Sequence, residues 1–318
     1  MTRVCAVVAT HARRELLGEC LDALRRQTHP LAGLVVVDNA STDGTREALA
    51  AMPDVRQVRL EANAGSAGGF AAGVRAALAT DADWLWLMDD DAEPHRDALE
   101  LLLASPAALD PAVAAVCSAV LSPDGEIDPL HRGFVGRLLR ALPAEHYRPG
   151  SAPRLGFASY VGTLVRAKAA RAAGPPRADM FTWGDDVEFS IRLRAHGELR
   201  LIPESRVLHK ALMGGQSTPR SRFWNRVLGV SYPSAPLGDF WKQLHLVRNF
   251  VWLRYQHGSP GATAFVWIAC AYAVKSLLYD DRPLRRLPWI FRAAYRGRRG
   301  RPLDLTPARW AQIARVDR

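Results

Sequence analysis

No two of the four cysteines form a CxxC pair. Cys5, Cys20, Cys117 and Cys270 are scattered through 318 residues, and none is spaced with histidine as structural zinc requires. This argues against a disulfide framework and a zinc-finger class, and isolated thiols suit a reducing cytoplasm. The chain also lacks a GxGxxG turn after its first apolar run, which reads AVVATHARREL, so the fingerprint of a dinucleotide-binding dehydrogenase is missing. No repeat of fixed period is visible. The first apolar run breaks at Thr10 and His11 with no small-residue cleavage site, and reads as a strand rather than a signal peptide. Long uninterrupted hydrophobic runs are scarce. Ala262 to Tyr279 comes nearest the roughly 20 residues a membrane span needs, but Lys275 falls inside it.

What is present is enough for a packed core: 48% of residues are hydrophobic and 23% charged, which fits one large domain or a domain with an appendage. Charge is unevenly placed. Residues 1–214 carry 24 Lys/Arg against 27 Asp/Glu, whereas residues 215–318 carry 18 against 5, so the basic excess is entirely C-terminal. We expect a domain over 1–212 and a basic, mainly helical region over 213–318.

Val4 to Ala9 and Leu34 to Val37 are β-branched runs. Between them Arg14 to Arg26 has Leu16, Leu17, Cys20, Leu21 and Leu24 at helical spacing, which makes a βαβ unit. Val55 to Leu60 continues the strands, Gly68 to Ala79 reads as a helix, and Trp84 to Met88 is a further strand. The alternation predicts an α/β fold with a mainly parallel sheet covered by helices on both faces.

Ligands of such sheets bind beyond the C-terminal strand ends. Asp38-Asn39, Asn63-Ala64-Gly65 and Asp89-Asp90-Asp91 each follow a strand and are expected to converge on one sheet edge. The glycines of NAGSAGGF permit close backbone approach and expose amides at a helix start, where an anion is welcome, although such a stretch is often only a turn. The run WLWLMDDDAEP ends in three adjacent carboxylates, which repel one another unless water or a cation offsets them. A solvated helix start accounts for one or two acids but poorly for three. A hard divalent ion, Mn²⁺ or Mg²⁺, held by carboxylates and completed by phosphate oxygens accounts for all three.

Downstream, FTWGDDVEFSIRLRAHG reads as a helix that Gly197 ends, with Asp185 and Asp186 at its start. Capping is the ordinary role for Asp185 there. His209 follows another strand-like run, and a lone histidine in such a place is more often a satisfied polar residue than a ligand.

The ordered set VVATHARRELLGECLDALRRQT, VVVDNASTDGT, NAGSAGGFAAGVRAAL, WLWLMDDDAEP, WGDDVEFSIRLRAHG and VLH resembles the family 2 glycosyltransferases of GT-A fold. It is most similar to the bacterial branch of galactofuranosyl and rhamnosyl transferases, over residues 1 to about 212. The resemblance implies that Thr10, Asp38 and Asn63 contact the nucleotide, with Arg13, Gly65, Gly69 and Asp90 completing the nucleotide-sugar surface. It implies that the triplet is a DXD motif, in which Asp89 meets ribose and metal, Asp91 ligates the metal and His209 completes the site. Asp186 matches the acid that deprotonates the acceptor hydroxyl, and Asp185 and Trp183 stand beside it on the acceptor side. Two departures are visible: Asp185 replaces the commoner Glu, and Lys210 follows His209 where some relatives carry a further ligand two positions on.

The reaction so implied is metal-dependent, inverting transfer of a hexosyl group from a nucleoside diphosphate sugar, UDP-hexose by analogy, to an acceptor hydroxyl on a glycan, a glycolipid or a small molecule. Tyr160 and Trp224 are further candidates for stacking on a sugar face, although core packing is the commoner role for such rings. A sugar-phosphate nucleotidyltransferase shares sheet, glycines and metal, but its glycine-rich basic signature is absent from AVVATHARREL. A non-catalytic nucleotide-sugar binder is a third reading. The C-terminal helices, with aromatic and arginine-rich faces, suit an anionic bilayer surface, and the expected location is cytoplasmic with peripheral contact at the inner membrane face. No nucleic-acid motif accompanies the basic tail.

Overall fold

The structure, a computed structural model, describes residues 1–136, 139–210, 219–228, 236–258 and 262–316. The chain divides into two compact parts, Met1–Ala178 with Asp185–Leu212, and Asp179–Gly184 with Met213–Arg318. The boundary expected between residues 212 and 213 lies outside the described residues.

The first part is built on strands β1 (Val4–Thr10), β2 (Gly33–Asp38), β3 (Arg56–Arg59), β4 (Trp84–Asp89), β5 (Ala92–Pro94) and β6 (Val113–Leu121). Four short strands follow: β7 (Arg132–Val135), β8 (Leu139–Ala141), β9 (Arg154–Leu155) and β10 (Phe157–Ala158). β11 (Thr163–Arg166) and β12 (Glu198–His209) complete the set. The main sheet runs β3-β2-β1-β4-β11-β6-β12-β5, with β9 on β12, and β10-β7-β8 form a small second sheet. β3, β2, β1, β4, β6 and β12 run one way, and β11, β5 and β9 run against them. This is the mixed, mainly parallel sheet that the strand and helix alternation predicts, with β11 inserted antiparallel at its centre.

Helices α1 (Arg14–Arg25), α2 (Thr45–Ala50), α3 (Gly65–Leu78), α4 (Ala98–Ala104), α5 (Pro106–Leu109), α6 (Ala167–Ala173) and α7 (Asp185–Arg194) belong to this part. Successive strand residues point to opposite faces. Val4, Ala6, Val8, Trp84, Trp86 and Met88 therefore join Leu17 and Leu21 of α1 in one core. Cys5, Val7, Leu85 and Leu87 join Phe70 and Val74 of α3 in the other. Helices cover both faces because both faces of β1 and β4 are apolar. Two glycines let α3 lie close on the sheet: a Cβ at Gly73 would stand 2.5 Å from Val7 Cγ1, and one at Gly69 would stand 3.0 Å from Ala9 Cβ.

The second part is helical: α8 (Pro219–Leu228), α9 (Phe240–His257), α10 (Ala262–Tyr279), α11 (Pro283–Arg298) and α12 (Pro307–Val316). Phe240, Leu244, Val247, Val251, Ile268, Ile290, Ala294 and Trp310 form its core. Gly297 lets α11 meet α9, since a Cβ there would lie 2.3 Å from the Arg248 carbonyl oxygen. His245, buried in this core, donates from Nε2 to the Leu305 carbonyl at 2.8 Å. Burial holds its pKa down at about 4. Lys275, the residue that interrupts the apolar run of α10, pairs with Asp280 at 2.7 Å. Among the described residues, no helix is long and apolar enough to cross a membrane.

Candidate active site

The register of the parallel strands brings the polar clusters together. Thr10 is paired with Asp38 across β1 and β2, and Ala9 with Asp89 across β1 and β4, so three strand ends finish level on one sheet edge. The loops leaving that edge are tight enough to force left-handed backbone on residues with side chains: Ala12 has φ +52° and Ala40 φ +61°. Such geometry costs about 1–3 kcal/mol per residue and gathers at functional edges.

The three carboxylates are not equivalent. Asp90 is buried and accepts from the Thr10 hydroxyl at 2.6 Å and from Arg13 Nη1 at 3.2 Å. Burial raises its pKa against these partners. Asp91, also buried, accepts from Arg13 Nη1 through Oδ2 at 2.8 Å. Its Oδ1 faces His209 Nε2 at 3.2 Å without a well-formed hydrogen bond. Burial works to raise Asp91, but His209 and Arg13 hold it below the usual carboxylate range. For His209, burial is outweighed by Asp91 and Asp89, and its pKa is raised. For Asp89, burial first and the Asp91 charge second push the pKa up to about 7, while His209 pulls the other way.

Repulsion among the acids is therefore offset unevenly, by Arg13 and Thr10 on one side and His209 on the other. Asp89, Asp91 and His209 each bring a ligand atom within 4.8 Å of the other two. Two carboxylates and an imidazole, with a buried oxygen of Asp91 still lacking a proper partner, are a donor set that fits a divalent cation. His209 reaches Asp91 because β12 pairs with β5, and Ala92 is the partner of His209 in that register. Lys210 instead forms ion pairs with Glu19 and Glu93 at the surface, so the position after His209 adds no ligand.

Asp186 lies on the first turn of α7, half-buried, and its charge contributes to raising Asp89. The capping role expected for Asp185 is not what the structure shows. Asp185 is the first helical residue, 3% exposed, and its Oδ2 makes no hydrogen bond. Burial, with the Asp186 charge added, drives its pKa well up. Trp183 falls in the second compact part, in a left-handed conformation with φ +59°. Asn249 Nδ2 lies 2.9, 2.9 and 2.8 Å from the carbonyls of Met180, Thr182 and Trp183. Tyr160 is buried against Phe70, ring centroids 4.0 Å apart, and packs in the core. Trp224 is half-buried on α8 against Phe223.

Other expected nucleotide contacts are engaged by protein groups. Asp38 has no exposed surface; it accepts from the Ser41 amide at 2.8 Å and pairs with Arg59. Asn63 Oδ1 accepts from Gly65 N at 2.8 Å, and Gly65 has φ +72°, so these two build the turn into α3. Asn39 ties that turn to the end of β2, donating to Asn63 Oδ1 and the Gly65 carbonyl and accepting from Ala64 N. Gly69 acts in packing, as described above.

Sequence reasoning missed Arg59, Asp128, His131 and Arg132, and placed Asn39 at the edge without its partners. Arg132 is fully buried and, among the described residues, donates to carbonyls and a hydroxyl of Ser118, His131, Ser159 and Val161. Burial lowers its pKa, and Asp186 is among the groups that oppose this.

Residues 5–171 match the family described as glycosyl transferase family 2. The chain belongs to this family. It is 39% identical over 200 residues to the galactofuranosyltransferase GlfT1 of Mycolicibacterium smegmatis, a match covering 61% of this chain and 66% of that one. Against GlfT1 of Mycobacterium tuberculosis it is 37% identical over 204 residues, 61% of this chain and 65% of the relative. The chain thus spans just under two thirds of these relatives. Among solved structures, GalNAc-T7 with UDP, GalNAc and Mn²⁺ superposes with a TM-score of 0.56 at 16% identity, covering 95% of this chain and 59% of that one. Staphylococcus aureus TarS 1–349 in complex with UDP-GlcNAc gives 0.51 at 12% identity, covering 94% and 93%. The fold of this family 2 chain is therefore GT-A, with a helical C-terminal region. Family membership sets aside the nucleotidyltransferase reading.

Proposed function

We propose that this chain is a metal-dependent, inverting hexosyltransferase that takes its sugar from a UDP-hexose, UDP-galactofuranose being favoured by the names of its relatives. The observation that carries the reading is the grouping of Asp89, Asp91 and His209 at the C-terminal strand edge, within electrostatic reach of Asp186. Asp89, Asp91 and His209 would hold Mn²⁺ or Mg²⁺. A bound divalent ion supplies charge stabilisation for the departing diphosphate.

The remaining steps belong to the chain's own groups. Amides at the start of α3 stand where a helix N-terminus favours phosphate. Arg13 and Thr10 keep Asp90 and Asp91 oriented, so the acids present fixed oxygens rather than mobile side chains. Asp38 reads a uracil imide only if Arg59 releases it, which makes Arg59 part of nucleotide binding. Asp186 takes the acceptor proton as the hydroxyl attacks the anomeric carbon, a role needing hydrogen-bond reach to that oxygen. One displacement without a covalent intermediate inverts the anomeric centre. Asp185, whose pKa burial and the Asp186 charge raise, is the acid we place beside it on the acceptor side. Trp183, two residues before Asp185 in the chain, is the aromatic group the sequence offers for the acceptor sugar.

We further assign peripheral contact with anionic membrane to the helical region. Exposed Val266, Trp267, Val274, Leu284, Phe291 and Tyr295 on α10 and α11 lie in a stretch rich in arginine. The acceptor is accordingly a glycan or glycolipid of the cell envelope, reached from the cytoplasmic side.

Incubation with UDP-galactofuranose and Mn²⁺ tests the donor assignment. UDP release that requires the metal, and a product of inverted anomeric configuration by NMR, support it. A product of retained configuration, or no release with any UDP-hexose, overturns it. Flotation with anionic liposomes at low salt tests the membrane assignment, and an unbound protein refutes it.

A further inference from the structure

A second group of ligand atoms shares His209 with the first, and its other two members have no part in the proposed transfer. Asp128, His131 and His209 each bring one ligand atom within 4.8 Å of the other two. Asp128 and His131 lie between β6 and β7, and His209 ends β12. The two imidazoles pack edge to face with centroids 4.8 Å apart.

Each member is held in place. Asp128 Oδ1 accepts from the Leu130 amide at 3.0 Å, and its Oδ2 stands 3.4 Å from His131 Nε2. His131 Nδ1 meets the Ser159 hydroxyl at 2.7 Å. That leaves Nε2 of His131 and Nδ1 of His209, both buried and both without a hydrogen bond. An unpaired buried polar atom costs about 1–3 kcal/mol, so two of them side by side need a reason. The hydroxyl behind His131 Nδ1 is the kind of support found behind metal-ligating histidines.

Donor chemistry separates the two groups. Asp89, Asp91 and His209 offer two hard oxygens and one nitrogen, which suits Mn²⁺ or Mg²⁺ with phosphate. Asp128, His131 and His209 offer two nitrogens and one oxygen, which suits a borderline ion such as Zn²⁺ with a fourth position open. A neutral imidazole has one lone pair, so His209 serves one ion at a time.

We infer that Asp128, His131 and His209 form a second cation site for ions of the zinc type, and that filling it withdraws His209 from the Asp89–Asp91 group and slows transfer. The inhibitory half rests on the donor reading above; the binding half does not.

The test uses the full chain without a histidine tag. Zn²⁺ is titrated calorimetrically in the absence of nucleotide into the parent, His131→Ala and Asp128→Asn, each checked for folding by circular dichroism. The parent is expected to bind Zn²⁺ at least about tenfold more tightly than either variant. Co²⁺ is expected to give a low-coordinate visible band in the parent that weakens in both. His131→Ala is expected to keep Mn²⁺-dependent UDP binding and to need a correspondingly higher Zn²⁺ concentration for inhibition. Equal Zn²⁺ affinity in all three proteins overturns the site. A parent that binds Zn²⁺ through His131 yet shows no Mn²⁺-dependent UDP binding leaves the site standing and removes the donor reading and the inhibition with it.

Discussion

Nε2 of His209 stands 3.2 Å from Oδ1 of Asp91, although 118 positions separate them in the chain. The contact exists because β12 returns alongside β5, the short strand that begins at Ala92. A strand of three residues thus fixes the distance between the acidic triplet and the one imidazole that offsets Asp91 from that side.

For Asp186→Asn, donor binding is expected to persist while turnover falls by about 10²–10⁴, the usual worth of a general base. Single-turnover transfer and UDP titration on the same preparation separate the two effects. Transfer at the parental rate would remove Asp186 from the role.

Gly73→Ala is expected to destabilise the first part by about 1–3 kcal/mol, because the added methyl would lie 2.5 Å from Val7 Cγ1 on a sheet that cannot move away. Denaturant unfolding measures it, and an unchanged midpoint would mean that α3 does not pack as closely as the structure has it.

His245 gives a pH dependence with a definite sign. Its folded pKa, about 4, lies below the ordinary 6.5, so between those values the unfolded chain binds the extra proton. Stability contributed by the neutral ring is whole above about pH 6.5 and is lost as pH falls toward 4, up to about 3 kcal/mol. Melting of the parent should show this decline, and His245→Asn should flatten it while lowering the plateau.

Asp185 has the opposite sign. A carboxyl whose folded pKa is raised favours folding fully only below its unfolded value near 3.8, and that favour is lost as pH climbs. Asn copies the neutral acid without that loss. Asp185→Asn is therefore expected to melt no lower than the parent at pH 8, with its advantage shrinking toward pH 4. A variant that is much less stable at pH 8 would show that Asp185 is ionised in the fold.

Much of the first part was legible because its strands are buried on both faces and its helices obey a 3.6 period. Trp84 to Met88 and the Leu17, Leu21 and Leu24 stripe needed no tertiary information. β7, β8, β9 and β10 were not legible, since two to four residues carry no period, and with them went Asp128, His131 and Arg132. Polar strand ends were expected to meet on one edge, and the register brings them there, but the partnerships within it were not legible. Thr10 and Arg13 were expected to face a nucleotide, yet in the structure they hold Asp90 and Asp91, a choice decided by side-chain direction in space. Asp185 looked like a cap because position in a helix can be read from sequence and burial at its first turn cannot. The packing of Gly69 against Ala9 was not legible, because a glycine required for close helix packing and one required for a ligand are the same letter.

Asp91→Asn tests the central claim most directly, by calorimetric titration of UDP with and without Mn²⁺ into the parent and the variant. The account predicts that Mn²⁺ tightens UDP binding in the parent and that this gain falls at least about tenfold in the variant, whose neutral amide binds a hard divalent cation more weakly than a carboxylate. Equal UDP affinity with and without Mn²⁺ in the parent, or an undiminished gain in the variant, would contradict it.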